Sequence, residues 1–342
     1  MSRRAFITGI AATELSSVER EFIRAERPWG FILFKRNIDN PSQVTKLVGQ
    51  LRAAISDADA PVLVDQEGGR VQRLTPPHWP TYPAGAIFGA LYDIDPAFGL
   101  SAARLSARLM AEDLRELGIT VDCLPLADLP VAGADAVIGN RAYGTKPDKV
   151  AAIARAVTTG LEQGGVLPVL KHIPGHGRAT ADTHFMLPVV ETSRVELERT
   201  DFAAFQPLVD LPMAMTAHVV FSALDTVHPA TTSATIISEV IRGVIGFQGL
   251  LMSDDVSMNA LAGSIAERTT ASIAAGCDMV LHCNGKLDEM QAVARQAPEL
   301  SGQALQRAKS ALASRRTPVA FDRQGARAEL DALIERVRIP SA

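Results

Sequence analysis

Between Lys171 and Pro188 the chain reads K-H-I-P-G-H-G-R-A-T-A-D-T-H-F-M-L-P, with a lysine, an aspartate and three of the seven histidines on one short segment. The apolar run 166–170 comes directly before it, so Lys171 and His172 stand where a buried strand ends and a loop begins. Gly175 and Gly177 give that loop backbone freedom, while Pro174 and Pro188 stiffen its ends. Asp182 and His184 are two positions apart, so a short bend lets the carboxylate orient the imidazole. An imidazole titrating near ~6.5 can give a proton to a leaving oxygen and later take one from water at neutral pH. A carboxylate beside it favours the protonated ring. The types and spacing point to acid–base chemistry on an active-site loop.

Four other segments carry groups of the same kind. Asp65-Gln66-Glu67-Gly68-Gly69-Arg70-Val71-Gln72-Arg73 follows the apolar run 61–64, and Thr216-Ala217-His218 ends the run 212–216. Ser253-Asp254-Asp255 ends the run 249–252, and Ile138-Gly139-Asn140-Arg141 precedes a helical pattern. Carboxylates, cations and imidazoles gathered on one rim with few aromatics suit a small hydroxyl-rich ligand, for which arginine and lysine are donors. Each group also has a structural reading. Asp65 could cap the loop after its strand, and Arg73 and Arg141 could be solvated surface charges. His172 and His218 could be satisfied core histidines, and His176 could merely hold the shape of its loop. One of Asp254 and Asp255 is expected to cap a following helix, which leaves Asp254, at the strand end itself, as the catalytic candidate.

Positioning these groups requires a scaffold that brings strand ends together. Eight short apolar runs, 6–10, 30–34, 61–64, 120–124, 167–170, 212–216, 249–252 and 279–282, alternate with amphipathic stretches. Helical patterns cover 41–55, 98–117, 149–163, 232–245 and 264–275. Such alternation implies parallel strands with crossover helices, and eight units in 342 residues favour closure into a (β/α)8 TIM barrel. An open doubly wound sheet would need a glycine fingerprint after the first strand, which Thr8-Gly9-Ile10-Ala11-Ala12 does not supply. Residues 300–337 show helical pattern without a strand and are expected to form extra C-terminal helices outside the barrel. No Gly-, Ser- or Pro-rich linker divides residues 1–342, so one catalytic domain is expected.

Composition bounds the partners. Hydrophobic residues make up 47% and charged residues 21%, the profile of a soluble globular enzyme. A net charge of -4 offers no basic field for nucleic acid or for an anionic membrane. No run of apolar residues is long enough to span a bilayer, and the N-terminal segment fits a buried strand better than a secretory signal. The three cysteines, Cys123, Cys277 and Cys283, lack paired-motif spacing and are expected to be free core thiols in a reducing cytosol. Cytoplasmic location, a monomer or weak dimer, and no cofactor or metal are the corresponding expectations.

The segments D-Q-E-G-G-R-V-Q-R, K-H-I-P-G-H-G with D-T-H, and M-S-D-D-V-S-M together resemble the signatures of family 3 glycoside hydrolases, and the likeness runs from Gly30 to Val280. It is strongest to the single-domain bacterial β-N-acetylglucosaminidases of peptidoglycan recycling. Larger members add a second α/β domain with a glutamate acid/base, for which this sequence has no counterpart. The resemblance implies a retaining mechanism in which Asp254 is the nucleophile, His184 the acid/base and Asp182 its partner. It further implies that Asp65, Arg73, Arg141, Lys171 and His172 grip the hydroxyls of N-acetylglucosamine. Thr183 replaces a usual serine, Lys35 stands where serine is common, and Asn140 replaces a usual acidic residue, which removes a neighbouring partner for Arg141.

Other readings stay open at this point. Another exo-β-glycosidase of the same family, a β-glucosidase or xylosidase, and a glycoside phosphorylase share these motifs. A metal-dependent amidohydrolase is the alternative of a different class, because Lys171, His172, His218 and Asp254 lie at strand ends. The first strand, however, lacks an H-x-H ligand pair, and no H-E-x-x-H spacing occurs.

Overall fold

The computed structural model describes residues 2–181, 183 and 186–338. Eight strands close into one barrel: β1 (Arg4–Thr8), β2 (Pro28–Leu33), β3 (Val62–Val64), β4 (Val121–Asp122), β5 (Leu167–Ile173), β6 (Met213–Thr216), β7 (Leu250–Asp255) and β8 (Met279–His282). Neighbours pair in parallel throughout, and β8 returns to β1 with Phe6 opposite Val280. The fold is the expected (β/α)8 barrel.

Alternation along the strands builds two apolar layers. Ala5, Ile7, Leu63, Val121, Val169, Met213 and Met252 fill the interior, while Phe6, Phe31, Val62 and Val64 face the surrounding helices. Helices start where the sequence supplies caps. Ser16 and Glu19 form a capping box for Ser17–Glu26, Asn40 and Pro41 open Pro41–Ala54, and Ser264 with Glu267 opens Ile265–Ala275. Helix Pro41–Ala54 shows the spacing that buries one face, through Val44, Leu47, Val48 and Leu51.

Helix Leu287–Gln296 follows the last strand and completes its unit, and two further helices lie beyond it. Gly302–Ala313 packs Ala308 and Ala311 onto the interior cluster at the end where the strands begin, fixed by Arg307 to Asp278 at 2.9 Å. Arg323–Arg338 lies along the helix Pro96–Glu116 and pairs Arg323 with Asp113. The opposite rim, where the strands end, is therefore left open.

The helix expected from 232 begins two residues later, at Ala234, and runs to Ile245. Thr231 is committed to buried hydrogen bonds with Thr216 and His218, and Ser233 caps the first turn, its hydroxyl accepting the Ile236 N–H at 3.1 Å. Among the described residues no helix is long and apolar enough to cross a membrane.

Candidate active site

At the open rim a cavity of about 330 Å³ is lined by residues that follow or end strands β2, β3, β5, β6, β7 and β8. Apolar residues such as Ile32, Phe34, Met215, Met258 and Leu281 supply part of the surface, and charged or polar side chains such as Asp65, Glu67, Lys171 and Asp254 supply the rest. Strand geometry explains the gathering: each parallel strand delivers its next loop to the same face.

Four of the expected ligand-binding residues meet in one chain of charges. Lys171 Nζ lies 3.0 Å from Asp65 Oδ1 and 2.6 Å from Glu67 Oε1. Arg73 pairs with Asp65 Oδ2 at 3.0 Å, and Arg141 grips both Glu67 oxygens at 2.8 and 2.7 Å. The order Arg73–Asp65–Lys171–Glu67–Arg141 thus joins three cations to two carboxylates. Burial works against ionisation of Asp65, but Lys171 and Arg73 hold its carboxyl well below the usual range. The same balance, with Arg141 and Lys171 as the cations, holds Glu67 at about 2. Burial likewise opposes charge on Lys171, yet Glu67 and Asp65 push its pKa above the usual lysine value. Donors fixed this way present a rigid, charged wall. Although Asn140 removes a neighbouring acid, Arg141 still has an ion pair, because Glu67 arrives from another rim loop.

His172 is placed by a residue that the sequence motifs did not single out. Asp128, fully buried after β4, lies 2.7 Å from His172 Nδ1 and accepts the backbone N–H groups of His172 at 3.3 Å and His176 at 2.7 Å. Burial opposes its charge, but His172 and those N–H groups hold it at about 2. An ionised carboxylate only accepts, so Nδ1 of His172 carries a proton and Nε2 is left for the cavity. No spacing rule marks Asp128; the signal available was an aspartate soon after the apolar run 120–124.

The linkage runs in one direction. A carboxyl held below its unfolded value near ~3.9 stabilises the fold above that pH and loses the contribution as pH falls. With Asp128 and Glu67 both near 2, the guanidinium chloride midpoint is expected to drop steeply between pH 4 and pH 2. Asp128→Asn should lower stability by about 2–3 kcal/mol at pH 7 and flatten that acid slope, because one contributor is gone. A variant with an unchanged midpoint and slope contradicts the assignment.

Asp254, half-buried on β7, lines the cavity, and Oδ1 accepts the Asp255 N–H at 2.8 Å. Burial opposes its charge, while His218 and His172 lower its pKa below the ordinary value, so it is ionised at neutral pH. Asp255 does different work. Its Oδ1 accepts from Ser257 N at 2.9 Å and Cys283 N at 3.1 Å, and its Oδ2 from Ser257 Oγ at 2.6 Å. The expected helix cap is therefore corrected: Asp255 organises the turn after β7, and Ser264 caps the next helix.

The two undecided histidines separate. His218 is fully buried, with Nε2 3.0 Å from the Asp255 carbonyl and Nδ1 2.7 Å from Thr231 Oγ. Nε2 must donate to that carbonyl, and burial lowers the ring's pKa, so His218 is a brace beneath the strand end. His176 lines the cavity, its Nε2 3.4 Å from Thr183 Oγ, and burial with His172 pushes its pKa down to about 4. Asp182 and His184 lie outside the described residues. Thr183 between them is buried, lines the cavity, and accepts the Ala260 N–H at 3.1 Å. Among the described residues no cluster of three or more His, Cys, Asp or Glu is arranged to hold a metal.

Comparison with known proteins supplies the next observation. The family described as Glycosyl hydrolase family 3 N terminal domain matches residues 7–314. A protein of Alkalilimnicola ehrlichii named Beta-hexosaminidase is 39% identical over 295 residues, covering 85% of this chain and 83% of its own. The crystal structure of native NagZ from Neisseria gonorrhoeae is 33% identical, superposes with a TM-score of 0.86, and is matched over 99% of both chains. A structure of the same Neisseria protein in complex with N-trifluoroacetyl-D-glucosamine gives 32% identity and a TM-score of 0.84 over 98% of both chains.

Proposed function

From the premise that the chain belongs to glycosyl hydrolase family 3, we propose that it is a retaining exo-β-N-acetylglucosaminidase. The observation that carries the reading is Asp254: an ionised strand-end carboxylate in a cavity walled by braced cations. The proposed substrate is N-acetylglucosamine linked to 1,6-anhydro-N-acetylmuramic acid, with or without peptide, and the proposed setting is cytoplasmic peptidoglycan recycling by a monomer or weak dimer. The relative crystallised with N-trifluoroacetyl-D-glucosamine supports an aminosugar in the terminal subsite.

In the proposed reaction Asp254 attacks the anomeric carbon while His184 protonates the leaving oxygen. The covalent glycosyl-enzyme is then hydrolysed by water that His184 deprotonates. Asp182 orients and polarises that imidazole. Asp65, Arg73, Arg141, Lys171 and His172 bind sugar hydroxyls; His172 offers Nε2 because Asp128 occupies Nδ1. A nucleophile supplied by the protein makes assistance from the substrate's acetamido group unnecessary. The carbonyl of Asp255 braced by His218, and both Asp255 oxygens tied down, keep the attacking carboxylate in register.

Hydrolysis of p-nitrophenyl N-acetylglucosaminide in preference to the corresponding glucoside tests the substrate; the reverse preference overturns it in favour of a β-glucosidase. Accumulation of sugar 1-phosphate in phosphate buffer in place of free sugar indicates phosphorolysis. His184→Ala should slow glycosides of poor leaving groups by about 10²–10⁴-fold and activated aryl glycosides far less. Equal losses on both count against proton donation by His184.

A further inference from the structure

Each cation of the charge chain is answered by a carboxylate: Arg73 by Asp65, Arg141 by Glu67, and Lys171 by both. Among the described residues lining the cavity, Arg70 is the exception. Its Nη2 donates to two backbone carbonyls of the facing rim loop, Ala136 at 2.7 Å and Val137, and no described carboxylate pairs with it.

Arg70 is exposed but not loose. It stands on the turn of a hairpin formed by Gln66–Gly68 and Val71–Gln72. Gly68 and Gly69 hold φ of 90° and 57°, and a Cβ there would meet Pro83 O at 2.3 Å or Ala84 Cβ at 2.7 Å. The turn thus lies flat against residues 82–84, with Gly69 N–H donating to Tyr82 O at 2.9 Å. Below it, Gln66 Oε1 accepts the N–H groups of Arg73 and Leu74, each at 3.0 Å. The guanidinium is pinned from both loops.

Arg70 and Val137 also line a second, outer hollow with Asp135, Ala136 and Asn140. Asp135, the one carboxylate there among the described residues, is engaged by the Val137 N–H at 2.7 Å. Arg70 therefore borders both the main cavity and this hollow, which on the glycosidase reading offers room for a leaving group. A guanidinium presents a planar fork that matches a carboxylate, and one without an ionic partner at a cavity mouth is ready for an incoming anion.

The geometry points to Arg70 as the recognition group for a carboxylate on the aglycone, a preference for acidic leaving portions built into the rim. This rests on the glycosidase reading above. The carboxylate can sit close to the scissile bond or one residue further out, and substrates of both lengths separate the two.

The test compares kcat/KM for 4-carboxyphenyl and 4-carbamoylphenyl β-N-acetylglucosaminides, and for a hippurate-type aglycone that carries its carboxylate further away. Wild type and Arg70→Gln are measured side by side, so the intrinsic difference between leaving groups cancels. Arg70→Gln should lose about tenfold or more on at least one carboxylate substrate and less than about threefold on the amide, as expected for a charged hydrogen bond. Arg70→Lys should keep part of the preference, and 0.5 M salt should narrow it in wild type. Equal losses on acid and amide reduce Arg70 to a staple between two loops and overturn the inference, as does no loss on either acid. A wild type inert on all three overturns the glycosidase reading, and this inference with it.

Discussion

Asp254→Ala is expected to lower kcat on an N-acetylglucosaminide by about 10⁴-fold or more, the scale on which removal of a covalent nucleophile acts. The folded state should barely notice. The side chain is half-buried, and its one described hydrogen bond is to the adjacent Asp255 N–H. The neighbouring Asp255 ties the turn, and His218 braces the strand, without it. A melting temperature within a few degrees of wild type should therefore accompany the dead enzyme, and added azide should restore turnover as an α-glycosyl azide. Activity retained within tenfold contradicts the nucleophile assignment, and loss of cooperative melting indicates a structural role instead.

Lys171→Met carries the largest expected effect on stability. The ammonium is almost fully buried between Asp65 and Glu67, at 3.0 and 2.6 Å. Methionine fills similar volume but leaves two carboxylates facing each other out of water. Arg73 and Arg141 remain, each already serving one of them. Removal of one partner from a buried ionic group costs about 3–5 kcal/mol, seen as a fall in the guanidinium chloride midpoint at pH 7. The pH dependence should also flatten. In wild type these carboxyls sit below their unfolded values, so their stabilisation is lost as pH falls. Without Lys171 each carboxyl keeps one guanidinium, so its pKa moves up toward the unfolded value and less stabilisation remains to be lost in acid. The midpoint of the variant should therefore fall less than that of wild type between pH 7 and pH 3. A midpoint and an acid slope that both match wild type contradict this account of the wall.

Strand positions and the rim were readable because period and placement carry them. Each of the eight apolar runs became a barrel strand, and Asp65, Lys171, His172 and Asp254 reached one cavity because parallel strands end on one face. Arg73 and Arg141 joined them through loops whose paths no periodicity encodes. What stayed hidden depends on contacts distant in sequence. Asp128 acquires its meaning from His172, 44 residues away, and Glu67 from Arg141, 74 residues away. The division of labour between Asp254 and Asp255 likewise needed Cys283 from the next strand end. The helix expected over 232–245 starts two residues later because Thr231 serves tertiary hydrogen bonds to Thr216 and His218, which leaves Ser233 to cap the first turn. The roles of Asp182 and His184 rest on the family resemblance and on the site that Thr183 adjoins.

Incubation with a 2-acetamido-2-deoxy-5-fluoro glycosyl donor, followed by digestion and mass spectrometry, tests the central claim most directly. Formation of a covalent sugar ester at the tip of β7 should place the added mass on the peptide containing Asp254, with catalysis lost in step. An adduct on any other carboxylate, or steady turnover with release of the inverted anomer and no adduct, contradicts the account.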